Sequence, residues 1–127
     1  MSFQTTALAN PTASKLHKVT PTSGGGTAAE DELSTSSTTL HQVHIINTAN
    51  ASATAYVKIW NLAASNVTVG TTAPHKILPC PGGSTITYAF PQGTTLGTAC
   101  CITAVTAGGT GGTASMTNAI TVYVLEG

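Results

Sequence analysis

Histidines, cysteines and acids are the residues of this chain that could carry chemistry, and it has four, three and four of them. His41 and His44 lie three apart on an expected strand, so they face opposite sides and cannot readily hold one metal ion. A serine or cysteine hydrolase needs a nucleophile, a base and an orienting carboxylate. The acids are Glu30, Asp31, Glu32 and Glu126, none on an expected core strand, and no Gly-x-Ser-x-Gly elbow occurs. A paired-carboxylate glycosidase fails for the same shortage. Cys80 sits between Pro79 and Pro81 in an expected turn, with nothing beside it to lower its pKa. Cys100 and Cys101 are adjacent and must point to opposite faces of a strand, so at most one is expected to face the core. An odd number of cysteines reads as reduced thiols rather than a disulfide framework. No catalytic residue, metal or cofactor is expected, and the protein reads as no enzyme.

The glycine runs Gly24-Gly25-Gly26 and Gly108-Gly109-Thr110-Gly111-Gly112 lack the Gly-Lys-Ser/Thr ending of a phosphate loop, and read as turns. Tyr56 and Trp60 share a strand face with Lys58 between them, opposite Val57 and Ile59. An aromatic pair on a half-solvated face suits a carbohydrate platform or an inter-subunit contact. The scarcity of charge favours the contact. Only 6% of residues are charged, with four lysines, no arginine and a formal charge of zero. An ordinary domain carries roughly 25%. That balance argues against a nucleic-acid binder and against a polybasic membrane contact. With so little charge a free monomer has weak protection against association, and a place inside an assembly is expected.

The elements that would position these residues are strands. Leu40-His41-Gln42-Val43-His44-Ile45-Ile46, Ala55-Tyr56-Val57-Lys58-Ile59-Trp60, His75-Lys76-Ile77-Leu78 and Thr85-Ile86-Thr87-Tyr88-Ala89-Phe90 are short apolar or alternating runs. Residues 98–105 and 120–125 supply two more. The Pro-Cys-Pro-Gly-Gly run over residues 79–83 should stop a ladder, and Pro91 should end the strand before it. No ten-residue stretch combines apolar three-four spacing with good helix formers. Short strands separated by turn residues indicate an all-β single domain, an antiparallel β-sandwich or jelly roll, between which periodicity cannot choose.

Residues 1–37 read differently: rich in Ser, Thr, Ala and Gly, with one short strand at residues 15–19 and the acids 30–32 as a solvated loop. An extended N-terminal arm is expected there, with the sandwich over residues 38–127. Some 35 residues could reach on the order of 100 Å. The arm would lie along a neighbour, with Phe3, Leu8, Leu16 and Val19 as anchors, and deleting residues 1–30 should leave the sandwich folded. The first residues lack a basic region followed by an apolar run, so no signal peptide is expected. No apolar run approaches the roughly 20 residues that span a bilayer.

Over residues 40–127 a resemblance enters. Tyr56-Val57-Lys58-Ile59-Trp60-Asn61, then Val69-Gly70-Thr71 with Pro74, residues 79–84, Phe90-Pro91-Gln92-Gly93 and Gly97-Thr98-Ala99-Cys100-Cys101-Ile102-Thr103 resemble small virion structural proteins of tailed bacteriophages. The resemblance implies a β-sandwich head decoration or cement protein like those of phages infecting cyanobacteria. Implied partners are its own copies, as a homotrimer, and the phage major capsid protein, on the capsid exterior after assembly in the host cytoplasm. The alternative is a tail, fibre or neck component that recognises a host glycan through Tyr56 and Trp60.

Overall fold

The computed structural model describes residues 14–127. Phe3 and Leu8 lie outside the described residues. The described chain forms eight strands: β1 (Lys15–Val19), β2 (Asp31–Ser34), β3 (Thr38–Asn47), β4 (Ala55–Trp60), β5 (Lys76–Cys80), β6 (Ser84–Leu96), β7 (Cys100–Val105) and β8 (Thr121–Glu126). One 3-10 turn, Ala64–Asn66, interrupts them. Two antiparallel four-stranded sheets result, ordered β1-β8-β3-β6 and β2-β7-β4-β5.

The pairings show which sandwich this is. β1 pairs with β8, β2 with β7, β3 with β6 and β4 with β5, so the chain is one long hairpin of four-strand arms. Rolling that hairpin brings β3 beside β8 and β4 beside β7, which closes the two sheets. That order is a jelly roll, two packed antiparallel sheets built from one folded hairpin. Between the sheets lies a core of Leu40, Val43, Ile45, Ala55, Val57, Ile59, Cys100, Ile102, Ala104, Val122 and Val124, all fully buried.

Two sequence readings of strand ends are corrected. β5 runs through Pro79 to Cys80, and Pro79 stands opposite Tyr56. β5 is an edge strand, where a missing N–H can face away from the ladder. β6, at the edge of the other sheet, also continues past Pro91. Its pairing shifts there, because Gln42 faces Ala89 while Leu40 already faces Thr94. Gly93 takes φ 74° in this bulge, and a Cβ on it would stand 2.4 Å from Thr39 Cγ2.

The boundary between arm and sandwich also moves. β1 and β2 are edge strands of the two sheets, so the sandwich begins near residue 14 rather than at 38. Local composition missed this because an edge strand has only one paired flank and needs few apolar residues of its own. Val19 is a core residue at 6% exposure, not an arm anchor. His17 Nε2 donates to Glu126 Oε1 at 2.9 Å, tying the first strand to the last. Deleting residues 1–30 would therefore remove β1 and leave β8 paired on its β3 side alone, contrary to the expectation of an intact fold.

Candidate interaction surface

The outer faces of the two sheets have opposite fates. On the β2-β7-β4-β5 sheet, the outward side chains Lys58, Trp60, Cys101 and Thr103 are all buried. Two loops cover most of them, and the segment before β2 meets Thr103, whose Oγ1 donates to Ala29 O at 2.7 Å. Residues 61–73 cross one half, and Trp60 packs there with Val67 and Cys101 against Leu62, Ala64 and Val69. Its indole Nε1 donates to Thr72 O at 3.0 Å. Residues 106–115 cover the other half, with Gly108 against the Tyr56 ring. Lys58 Nζ reaches the underside of this loop and donates to Gly112 O at 3.1 Å and Thr110 O at 3.5 Å. The loops also meet: a Cβ on Gly70 would stand 2.3 Å from Thr113 Cγ2, which with its φ of 92° makes glycine necessary.

The aromatic platform expected from sequence is therefore not an open surface. Tyr56 is half-buried and Trp60 is 1% exposed, under the chain's own loops. Alternation told correctly that Tyr56, Lys58 and Trp60 share a face. It could not tell that distant loops fold over that face.

The outer face of the β1-β8-β3-β6 sheet carries no such cover among the described residues. Three cross-strand rows build it, and the register names them. Leu16, Leu125, Gln42 and Ala89 form one row; Lys18, Tyr123, His44 and Thr87 the next; Thr121, Ile46 and Thr85 the third. His44 Nδ1 and Thr87 Oγ1 lie 2.6 Å apart, and the His44 and Tyr123 rings are 6.3 Å between centroids. Leu16 is 67% exposed, and Leu125, Tyr123 and Ile46 are half-exposed. Lys18 is the single lysine or acid in these rows. Of the interface candidates expected from sequence, Leu16 alone stands on this surface; His44, weighed there as a metal ligand, lies in its middle row. The others of the patch escaped notice because an alternating strand does not reveal which outward face stays bare.

The titratable residues are placed as structure rather than as a cluster. Among the described residues, no three His, Cys, Asp or Glu side chains come together in a way that could hold a metal ion. All three cysteines are free and buried. Cys100 and Cys101 point to opposite faces, as expected, Cys100 alone facing the inter-sheet core; Cys101 is buried too, in a second cluster around Trp60 that the sequence did not reveal. Burial, then the nearby Glu126 carboxylate and Cys101, pushes the Cys100 thiol up to about 12. Burial and the acids 30–32 push Cys101 up to about 11. Thiols so held are poor nucleophiles. Cys80 ends β5 rather than sitting in a turn, and burial raises its pKa too. Glu126, expected off the core strands, is fully buried on β8, and its Oε2 has no partner among the described residues. Scans against protein-family models, curated proteins and solved structures return no match for this chain.

Proposed function

We propose that this chain is a non-enzymatic virion structural protein that decorates a phage capsid and holds its lattice together. The observation that carries the reading is the asymmetry of the jelly roll. One sheet is sealed by the chain's own loops, while the other leaves a nearly uncharged face with Leu16, Leu125, Tyr123 and Ile46 outward. The resemblance over residues 40–127 supplies the partner, the major capsid protein. Contact through the bare face would bridge neighbouring capsid subunits and raise the free energy needed to open the shell. Four strands spaced ~4.8 Å and rows spanning roughly 20 Å make a footprint of about 400 Å² per subunit. A stable single contact buries about 800 Å² per partner. One subunit alone would therefore hold weakly, and linked copies over a repeating lattice would supply the rest by avidity.

The rival reading, a tail or fibre component gripping a glycan through Tyr56 and Trp60, loses its platform to the covering loops. Copy number on the virion separates the two. A number on the scale of the capsid lattice supports decoration, and one on the scale of a tail ring supports the rival. The direct test uses purified chain and heads that lack it. Wild-type protein should sediment with heads and raise the temperature at which they break. Ile46→Lys and Tyr123→Lys should fold with stability changed by no more than about 0.5–1 kcal/mol, yet lose most of their occupancy. Undiminished occupancy of both variants, or no sedimentation of the wild type, would overturn the proposal.

A further inference from the structure

The two lateral walls of the sandwich differ as its two faces do. At one wall β5 and β6 come together, and Tyr88 Oη donates to Pro79 O between them. At the opposite wall stand β1 and β2, each paired on one side only. Their outer backbone edges find no ladder partner among the described residues, the usual template for pairing with another chain.

Charge is concentrated on this open wall. The chain has four lysines and four acids. Lys58 and Glu126 are buried, and Lys76 Nζ lies 4.8 Å from the Phe90 ring centroid. The remaining five all belong to the wall: Lys15 and Lys18 on β1, and Glu30, Asp31 and Glu32 on or beside β2. Lys15, Lys18, Asp31 and Glu32 are exposed. None of the five has an ion-pair partner within the described residues, where the pair recorded is His17–Glu126. Each edge is thus of one sign, the two signs sit on different sheets, and neither neutralises the other within one molecule. Glu30 also lies close enough to Asp31 to add to the burial that raises its carboxyl above the usual range.

We propose that the β1/β2 wall docks a second copy of this chain, the basic β1 edge of one molecule meeting the acidic β2 edge of another. Opposite charges placed across from one another set register and exclude like-with-like pairing. Made head to tail, the contact is heterologous and closes into a ring where its rotation allows; about a two-fold axis the interface is isologous and contains the contact twice. The inference gives the proposed decoration protein its self-association surface. It is tested on the purified chain alone, so it can fail while capsid binding stands, or stand while capsid binding fails.

Light scattering of the full chain at low salt should give a small multiple of 12.7 kDa. The mass should fall toward the monomer at about 1 M salt, where the Debye length is only ~3 Å. The double variant Lys15→Glu with Lys18→Glu makes both edges acidic. Glu30→Lys with Asp31→Lys makes both basic, and it leaves Glu32, which accepts from the Ala64 N–H at 3.2 Å, in place. Each variant alone should be monomeric with an unchanged β-type circular dichroism spectrum. Mixed in equal amounts, the two should associate again. A wild-type monomer at low salt, or assemblies that survive either reversal, would overturn the proposal.

Discussion

Replacing Trp60 by alanine is expected to lower the stability of the free chain by about 3–5 kcal/mol, the usual loss for a buried tryptophan. The side chain is 1% exposed and packs with Val67 and Cys101 beneath residues 61–73. Its removal opens a cavity and leaves Thr72 O without the indole donor. A typical domain has only ~5–15 kcal/mol to lose, so Trp60→Phe is the milder companion. It keeps most of the packing and should lose about 1–2 kcal/mol with the hydrogen bond. Because the chain has one tryptophan, its fluorescence reports this site alone. Emission should be that of a shielded indole, resistant to acrylamide quenching, and should shift to the red on unfolding. Solvent-exposed emission, with both variants within ~0.5 kcal/mol of wild type, would return Trp60 to the surface role expected from sequence.

Stability should fall steeply on the alkaline side, with Cys100 as the largest contributor. Its thiol is raised from 9.0 to about 12 in the fold. The folded state therefore keeps its proton over a range where the unfolded chain has released it. A raised pKa contributes stability that is complete below about pH 9 and is lost as the pH climbs toward 12. Three units correspond to on the order of 4 kcal/mol. Cys101, raised to about 11, acts in the same direction. Burial lowers the Lys58 pKa, so its cost to the fold is relieved as pH approaches 10.5; this opposes the trend without reversing it. Denaturant titrations at about pH 8 and about pH 11 should show a large drop for the wild type. Cys100→Ala should show a drop about half as large, the remainder coming from Cys101, after an initial loss of about 1–3 kcal/mol at neutral pH. Equal drops for the two proteins would show that the thiol is not buried as described.

These outcomes separate what was legible in the chain from what was not. Strand identity was legible. Residues 55–60 were expected as a strand and are β4 to the residue, since alternation of Ala55, Val57 and Ile59 with Tyr56, Lys58 and Trp60 is a local property of the backbone. The all-β class followed for the same reason. Three things were decided only in three dimensions. Jelly-roll order depends on which strands pair, and pairings such as Lys15 with Glu126 join residues that no local pattern connects. β1 and β2 looked like parts of an arm because the pairing that makes them strands is supplied by distant neighbours, here β8 and β7. The face bearing Trp60 looked free because burial from above is supplied by residues 61–73 and 106–115, which carry no mark of where they fold. The candidate surfaces fall on the same divide. Which residues share a face is written in the period of two along each strand. Which face stays bare, and which strands put Lys15 and Lys18 on the edge of one sheet and Glu30, Asp31 and Glu32 at the edge of the other, is set by long-range pairing alone.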